Sequence, residues 1–230
     1  PNTTIRFNPN GYANTTAEIA AYATKVVGAL DARAWAFVQG NNKTYDGNRD
    51  ATLSFKGNPN DDVGGSVTLT GTNALFNDKN VGTGKPITYA GYTVSGVNPD
   101  RFELFDGGAG TTKGNITPLT IIGSITAASK VYDGNNSATI TSRTLAGQIA
   151  GDTVNYIGGT ATFSDKNVAN GKTVAGTGLA LAGADAGNYT VNSTATTAAN
   201  ITPAPLTVTA NNQTKIYGQN FTLAGTEFTS

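Results

Sequence analysis

The chain has 230 residues; its 15 Lys and Arg balance its 15 Asp and Glu, and charged residues make up only 13% of it. A surface this neutral offers no electrostatic footprint for nucleic acid or anionic lipid. With no Cys, Met or His, the sequence excludes disulfides, thiolate metal sites, His-based triads, His–metal catalysis and His pH switches.

No apolar run approaches the roughly 18 residues that span a bilayer, and no signal peptide opens the sequence. The start at Pro1 and the unfinished unit at Ser230 read as a piece excised from a longer protein. Residues 1–14 carry Asn, Thr, Pro and Gly with little periodicity and are expected to form an irregular lead-in. From Thr16 the pattern changes. Ile19, Tyr22, Ala23, Val26, Val27 and Leu30 recur at three- and four-residue steps, which is one face of a short N-terminal α-helix. Thr15 or Thr16 caps it, and Glu18 sits in its first turn, where the helix dipole favours a negative charge. Its apolar stripe needs a covering surface, either the first repeat or a preceding domain of the longer protein.

The rest of the chain repeats itself. Lys43-Thr44-Tyr45-Asp46-Gly47-Asn48 returns 87 positions later as Lys130-Val131-Tyr132-Asp133-Gly134-Asn135. Phe76-Asn77-Asp78-Lys79-Asn80-Val81 returns at the same offset as Phe163-Ser164-Asp165-Lys166-Asn167-Val168, and Lys85 as Lys172. Each unit closes on Asn-Ile-Thr-Pro, at 115–118 and 200–203, and a third begins at Lys215-Ile216-Tyr217-Gly218. Self-similarity at a fixed period marks a tandem array. The organisation expected is a lead-in with the helix over 1–34, repeats over 35–118 and 119–205, and the start of a third over 206–230.

Within each unit, short β-branched runs alternate. Residues 34–38, 119–125 and 206–209 open the three units. Residues 51–55, 63–76, 87–94 and 101–105 in the first unit answer to 138–141, 154–163, 174–181 and 189–191 in the second, which 195–201 closes. Gly-rich punctuation separates them. The pattern predicts an all-β chain of antiparallel sandwiches; a β-grasp-like unit lacking its helix is the other architecture with this periodicity. Pro118, Pro203 and Pro205 mark short, stiff joints, so a rod is expected.

The Lys-x-Tyr-Asp-Gly words, the Phe-x-Asp-Lys-Asn-Val block and the Asn-Ile-Thr-Pro closure resemble the YDG repeat over roughly 35–205. Residues 206–230 are similar to the opening of the related MBG repeat, with Tyr-Gly for Tyr-Asp-Gly. YDG repeats occur in filamentous-haemagglutinin-like adhesins exported by two-partner secretion. The resemblance implies tandem Ig-like β-sandwich modules, secreted to the cell surface of a Gram-negative bacterium. An outer-membrane transporter would be the partner during export and neighbouring repeats the standing partners. It implies no catalysis.

Asp46 and Asp133 suit Asx-turns, Gly47 and Gly134 suit positive φ, and Tyr45 and Tyr132 can lay a ring on the core and send the hydroxyl to a backbone partner. Asp78 and Asp165 can pair with Lys across a turn. A Lys–Asn crosslink would need Lys43 or Lys130 buried beside an Asn and a carboxylate. Asn60-Asp61-Asp62, and Asp185 with Asn188, offer oxygens to calcium, yet neither supplies the six to eight it wants. Ten sequons, at Asn2, Asn14, Asn42, Asn115, Asn135, Asn188, Asn192, Asn200, Asn212 and Asn220, follow largely from an Asn- and Thr-rich composition. Ser and Thr lack a His partner, and Glu18, Glu103 and Glu227 form no carboxylate pair that stands out from the repeat. The sequence therefore predicts no enzyme, no catalytic residue, no cofactor and no resident metal. Nucleic-acid binding and membrane insertion are not expected either, and the resemblance to the YDG repeat implies a stalk or spacer of a large adhesin supporting cell adhesion or biofilm formation. A module that contacts host or matrix glycans, through Trp35 or an aromatic face of Tyr89, Tyr92, Tyr156 and Tyr189, is the alternative.

Overall fold

The computed structural model describes residues 3–7, 30–57, 67–97, 99–220, 222 and 224–229. Among these the regular elements are all strands but for single 3-10 turns at Pro99–Arg101 and Ala186–Asn188. The helix expected over 16–30 falls largely outside the described residues; its last position, Leu30, begins a strand.

The first repeat and its approach hold β1 (Thr3–Phe7), β2 (Leu30–Ala36), β3 (Val38–Gly40), β4 (Lys43–Thr44), β5 (Leu53–Phe55), β6 (Val67–Thr70), β7 (Asn73–Phe76), β8 (Gly82–Ala90), β9 (Thr93–Gly96), β10 (Phe102–Leu104) and β11 (Gly110–Thr117). The second holds β12 (Leu119–Ala127), β13 (Lys130–Val131), β14 (Ser137–Ala138), β15 (Ile140–Ala146), β16 (Asn155–Phe163), β17 (Ala169–Ala182), β18 (Tyr189–Val191) and β19 (Thr194–Thr202). A last pair, β20 (Thr209–Ala210) and β21 (Phe228–Thr229), is antiparallel.

The repeats share their pairing position by position. One sheet of the first runs β4-β11-β8-β7, with Asp50 bridged to Leu75; in the second it runs β13-β19-β17-β16-β14, with Ser137 opposite Thr162. Gly40 faces Leu53 across β3 and β5, and Ala127 faces Ile140 across β12 and β15 at the 87-residue offset. The sheets are not purely antiparallel, as the alternation had suggested. The short strand of the Lys-x-Tyr motif in each unit, β4 or β13, lies parallel to the unit's last strand, with Lys43 opposite Ile116 and Lys130 opposite Ile201. β2 with β10, and β12 with β18, are parallel as well. Period-2 patterning is blind to strand direction, and the long connection between the paired strands permits a parallel return.

Other differences are local. The lead-in is not wholly irregular: Thr3–Phe7 pairs in parallel with Leu30–Ala36. The run expected at 87–94 breaks between β8 and β9, where Gly91 takes φ +72°. Of the strand expected over 206–209 only Thr209 pairs, together with Ala210 beyond it, and Leu206 and Val208 are exposed.

Contacts gather the chain into two compact units whose borders cut across the sequence repeats. The first runs to Ile121 and takes in Gly147–Asn155 and Leu181–Val191; the second holds Ile122–Ala146, Tyr156–Ala180 and the described residues from Asn192 onward. The core of the first buries Tyr45, Phe76, Ile87 and Ile116, each at or below 1% exposure. That of the second packs Phe163, Val174 and Ile201 against Ala161 and Ala199. Each large apolar side chain sequestered this way contributes about 1.5–3 kcal/mol.

Candidate functional site

Most of the repeated residues prove to be spent on the fold. Lys43 Nζ donates to Asp46 Oδ1 (2.7 Å) and to the backbone oxygen and Oδ1 of Asn48 (3.0 and 2.9 Å). Lys130 does the same with Asp133 (2.8 Å) and Asn135 (2.9 Å to each oxygen). The Asx-turns form as expected: Asn48 N–H donates to Asp46 Oδ1 and Asn135 N–H to Asp133 Oδ1. Gly47 and Gly134 take φ +79° and +82°. Each lysine also stands over its buried Phe ring, Lys43 over Phe76 at 5.6 Å and Lys130 over Phe163 at 5.7 Å.

This placement bears on the crosslink idea. An asparagine and a carboxylate do sit beside each lysine, but the lysine is their hydrogen-bond donor, and the aspartates are nearly half exposed, 46% and 47%. The half-exposed carboxylates leave each cage open to water, without the burial that such a crosslink needs.

Asp78 and Asp165 pair with Lys85 and Lys172, each at 2.7 Å, and each also accepts the N–H two residues on. The lysine hydrogen bond, then the backbone one, hold both carboxyls below their ordinary value. The closing Asn is structural too. Asn115 Oδ1 accepts Gly84 N–H and Asn200 Oδ1 accepts Gly171 N–H. Thr117 and Thr202 accept the N–H of Tyr45 and Tyr132 on their backbone oxygens. Among the sequons, Asn42, Asn115, Asn135, Asn192 and Asn200 are thus held by side-chain hydrogen bonds, and Asn188 is buried.

Within the first unit, four of the repeated residues, Tyr45, Lys79, Asn80 and Val81, make contacts their later copies do not. Tyr45 is 1% exposed, whereas Tyr132 is 37% exposed. The Tyr45 hydroxyl does not reach a backbone partner; it donates to Asp152 Oδ2 at 2.7 Å. The Tyr189 hydroxyl donates to the same oxygen at 2.5 Å and accepts Ile149 N–H. Lys79 Nζ donates to Asp152 Oδ1 at 2.8 Å and lies 3.4 Å from Asp185. The Tyr45 and Tyr189 rings meet edge to face at 5.3 Å. Beside them, Val81 N–H donates to Asn188 Oδ1, and Asn188 Nδ2 donates to Asn80 Oδ1. Two stretches of the second repeat, around Asp152 and Asn188, thereby meet the motif residues of the first.

The electrostatics follow from this geometry. Burial alone would raise the Asp152 carboxyl, but the hydrogen bonds from Lys79, Tyr189 and Tyr45 outweigh it and hold the group below its ordinary value. Burial first, and the Asp152 bond second, raise Tyr45 and push Tyr189 up to about 12. Lys79 is raised by its bonds to Asp152 and Tyr45. Asp152 is ionised, fully bonded and sealed by two tyrosines, an arrangement that holds segments together.

Asp185 and Asn188, whose oxygens could serve calcium, are engaged with Lys79, Thr153 N–H, Val81 and Asn80. Asn60-Asp61-Asp62 lies outside the described residues. Among the described residues, no group of three or more carboxylates gathers as a metal would require, and no helix is long and apolar enough to cross a membrane. Asp152 escaped the sequence reading because it belongs to no repeated word. The signal was the contrast itself: a Tyr and a Lys present in both copies, with no local partner for either.

No characterised protein matches the chain. The model of the YDG domain matches it twice, over residues 32–100 and 111–198, so that both copies of the Tyr-Asp-Gly and Asp-Lys-Asn words fall inside a match. With well over half of its residues matched, this chain belongs to the YDG-domain family.

Proposed function

We propose that this chain is a non-catalytic spacer segment of a large secreted adhesin. It would stand on the surface of a Gram-negative bacterium and hold a distal binding tip away from the cell, in support of adhesion or biofilm formation. On this reading each repeat is an Ig-like sandwich. Gly40 on β3 lies close against Ile87 of β8 and Lys113 of β11, which favours two sheets packed face to face. The same reading takes 206–230 as an MBG-like beginning, and export as two-partner secretion through an outer-membrane transporter, as in filamentous-haemagglutinin-like proteins.

The observation that carries the proposal is the bonding of Asp152. In the first repeat the motif side chains Tyr45 and Lys79, which would otherwise face a substrate or ligand, hold a stretch of the repeat that follows. A spacer is tested by reach. A small binding tip displayed on cells through one, two or three copies of this segment should capture a target across a thick surface layer better with each copy. Capture that does not change with copy number would overturn the reading.

One observation favours a glycan-binding role. Trp35 and Phe37 flank Phe105, with ring centroids 5.2 and 4.9 Å from it, and Phe105 is 58% exposed. Exposed rings of this kind suit sugar faces. Against it, Tyr89, Tyr92, Tyr156 and Tyr189 are all 6% exposed or less. A glycan array on which the chain binds and Phe105→Ala does not would establish this second role.

A further inference from the structure

Five positions of the Tyr-Asp-Gly and Asp-Lys-Asn words are covered or engaged in the first repeat and open in the second. Tyr45 is sealed, and Tyr132 is 37% exposed. A Cβ on Gly47 would meet Ile149 at 2.9 Å, whereas one on Gly134 would meet nothing within 4 Å. Lys79 and Asn80 hold Asp152 and Asn188, whereas Lys166 and Asn167 are exposed. The Val81 N–H donates to Asn188, and Val168 is 46% exposed. The strands beneath are the same and keep the same register, so the two surfaces share one shape and differ in what covers them.

We propose that Tyr132, Lys166 and Asn167 form a docking face for the edge of a further repeat following in tandem, one that presents an Asp-bearing loop and an Asn-Tyr pair as 149–152 and 188–189 do. The occupant's chemistry is set by what covers the first repeat. The free ammonium of Lys166 requires a carboxylate with two oxygens to share. The Tyr132 hydroxyl requires the second of these oxygens. The open space over Gly134 takes an apolar side chain such as that of Ile149. The corresponding edge of the first repeat does not fit: where the second has Asn188 and Tyr189, the first has Arg101 and Phe102. A second copy of this chain therefore has no matching edge to offer, since its own 149–152 and 188–189 are already engaged. Docking is thus directional: a repeat whose edge is acidic like that of the second seats on the Tyr-Lys-Asn face of the repeat before it.

The proposal rests on reading the chain as a tandem spacer, and its test can fail without touching that reading, because reach on cells needs no fixed junction. Residues 119–203 are inserted a second time after Pro203, with Tyr132→Phe in the inserted copy so that one such tyrosine is read. Nitration at Tyr132, followed by mass spectrometry, is compared between the original and the extended chain. Docking slows the reaction tenfold or more in the extended chain alone, and Lys166→Ala in the first copy or Asp152→Ala in the inserted one restores it. Equal reactivity in the two chains overturns the proposal, whether or not the inserted copy adds β signal in circular dichroism. Protection that survives Asp152→Ala overturns it too, as does protection of the original chain on raising its concentration, which would mean self-association.

Discussion

Replacing Asp152 by Ala should unfold the first unit more readily than any surface substitution in it. The carboxylate is 4% exposed and accepts from two buried tyrosine hydroxyls and one lysine. A hydrogen bond to a charged group contributes about 1.5–3 kcal/mol, so losing those of Tyr45 and Tyr189 costs about 3–6 kcal/mol. Lys79, with its side chain 37% exposed, rehydrates and adds little to the loss. Relief of the carboxylate's own desolvation offsets part of the sum. The net expectation is about 3–5 kcal/mol, the range found when one partner of a buried pair is removed. At a urea slope of about 2 kcal/mol/M the midpoint falls by about 1.5–2.5 M. Trp35 is the sole tryptophan and lies on β2, so its fluorescence follows the first unit in the intact chain. Asp78→Ala is the control: its carboxylate is 43% exposed and it loses one ion pair and one turn bond. Should the Asp152→Ala midpoint move no further than the Asp78→Ala midpoint, the bonding around Asp152 is not what secures this unit.

The same contrast runs through the paired words. Tyr45→Phe removes a bonded hydroxyl and should cost about 1.5–3 kcal/mol in the Trp35-monitored melt, while Tyr132→Phe, on a residue 37% exposed, should stay within about 0.5 kcal/mol by circular dichroism. Gly134→Ala meets only the strain of positive φ, about 1–3 kcal/mol; Gly47→Ala meets that strain and Ile149 at 2.9 Å besides, so it should be the more damaging. With its carboxyl lowered, Asp152 adds stability above the ordinary carboxylate value of about 3.9, and this is lost as pH falls through the folded value, so the urea midpoint should drop below about pH 4. Tyr189, raised from 10.0 to about 12, adds stability in full below pH 10 and loses it between those values; an absorbance titration should show a late phenolate that Tyr189→Phe deletes.

What could be read without coordinates was whatever occurs twice. Phe76 and Phe163, Ile116 and Ile201, the two Asx-turns and the Asp–Lys pairs all sit where the repetition put them. Strand direction could not be read, because alternation of burial along β12, with Ile121 and Ile125 inside and Ile122 out, is the same whichever way its neighbour runs. The strand at Thr3–Phe7 was legible in its β-branched composition, and its Asn-rich flanks masked it.

The bonding of Asp152 was hidden for a more general reason. A position that must serve every unit's own core is repeated in every unit, and repetition makes it visible. A position that reaches from one unit to the preceding one is needed only where a unit precedes, and it is free to change where the neighbour changes. Tyr45 and Lys79 belong to both groups: they recur because each unit carries the same words, and their partners Asp152 and Asp185 answer them from outside the words. The first repeat supports this division, since Asn98, Arg101 and Phe102 stand at the positions of Asp185, Asn188 and Tyr189. An edge rebuilt in that way calls for a different face before it. In an array of this type the repeated words therefore report the fold of each unit, and the residues that break the repeat report which unit fits behind which.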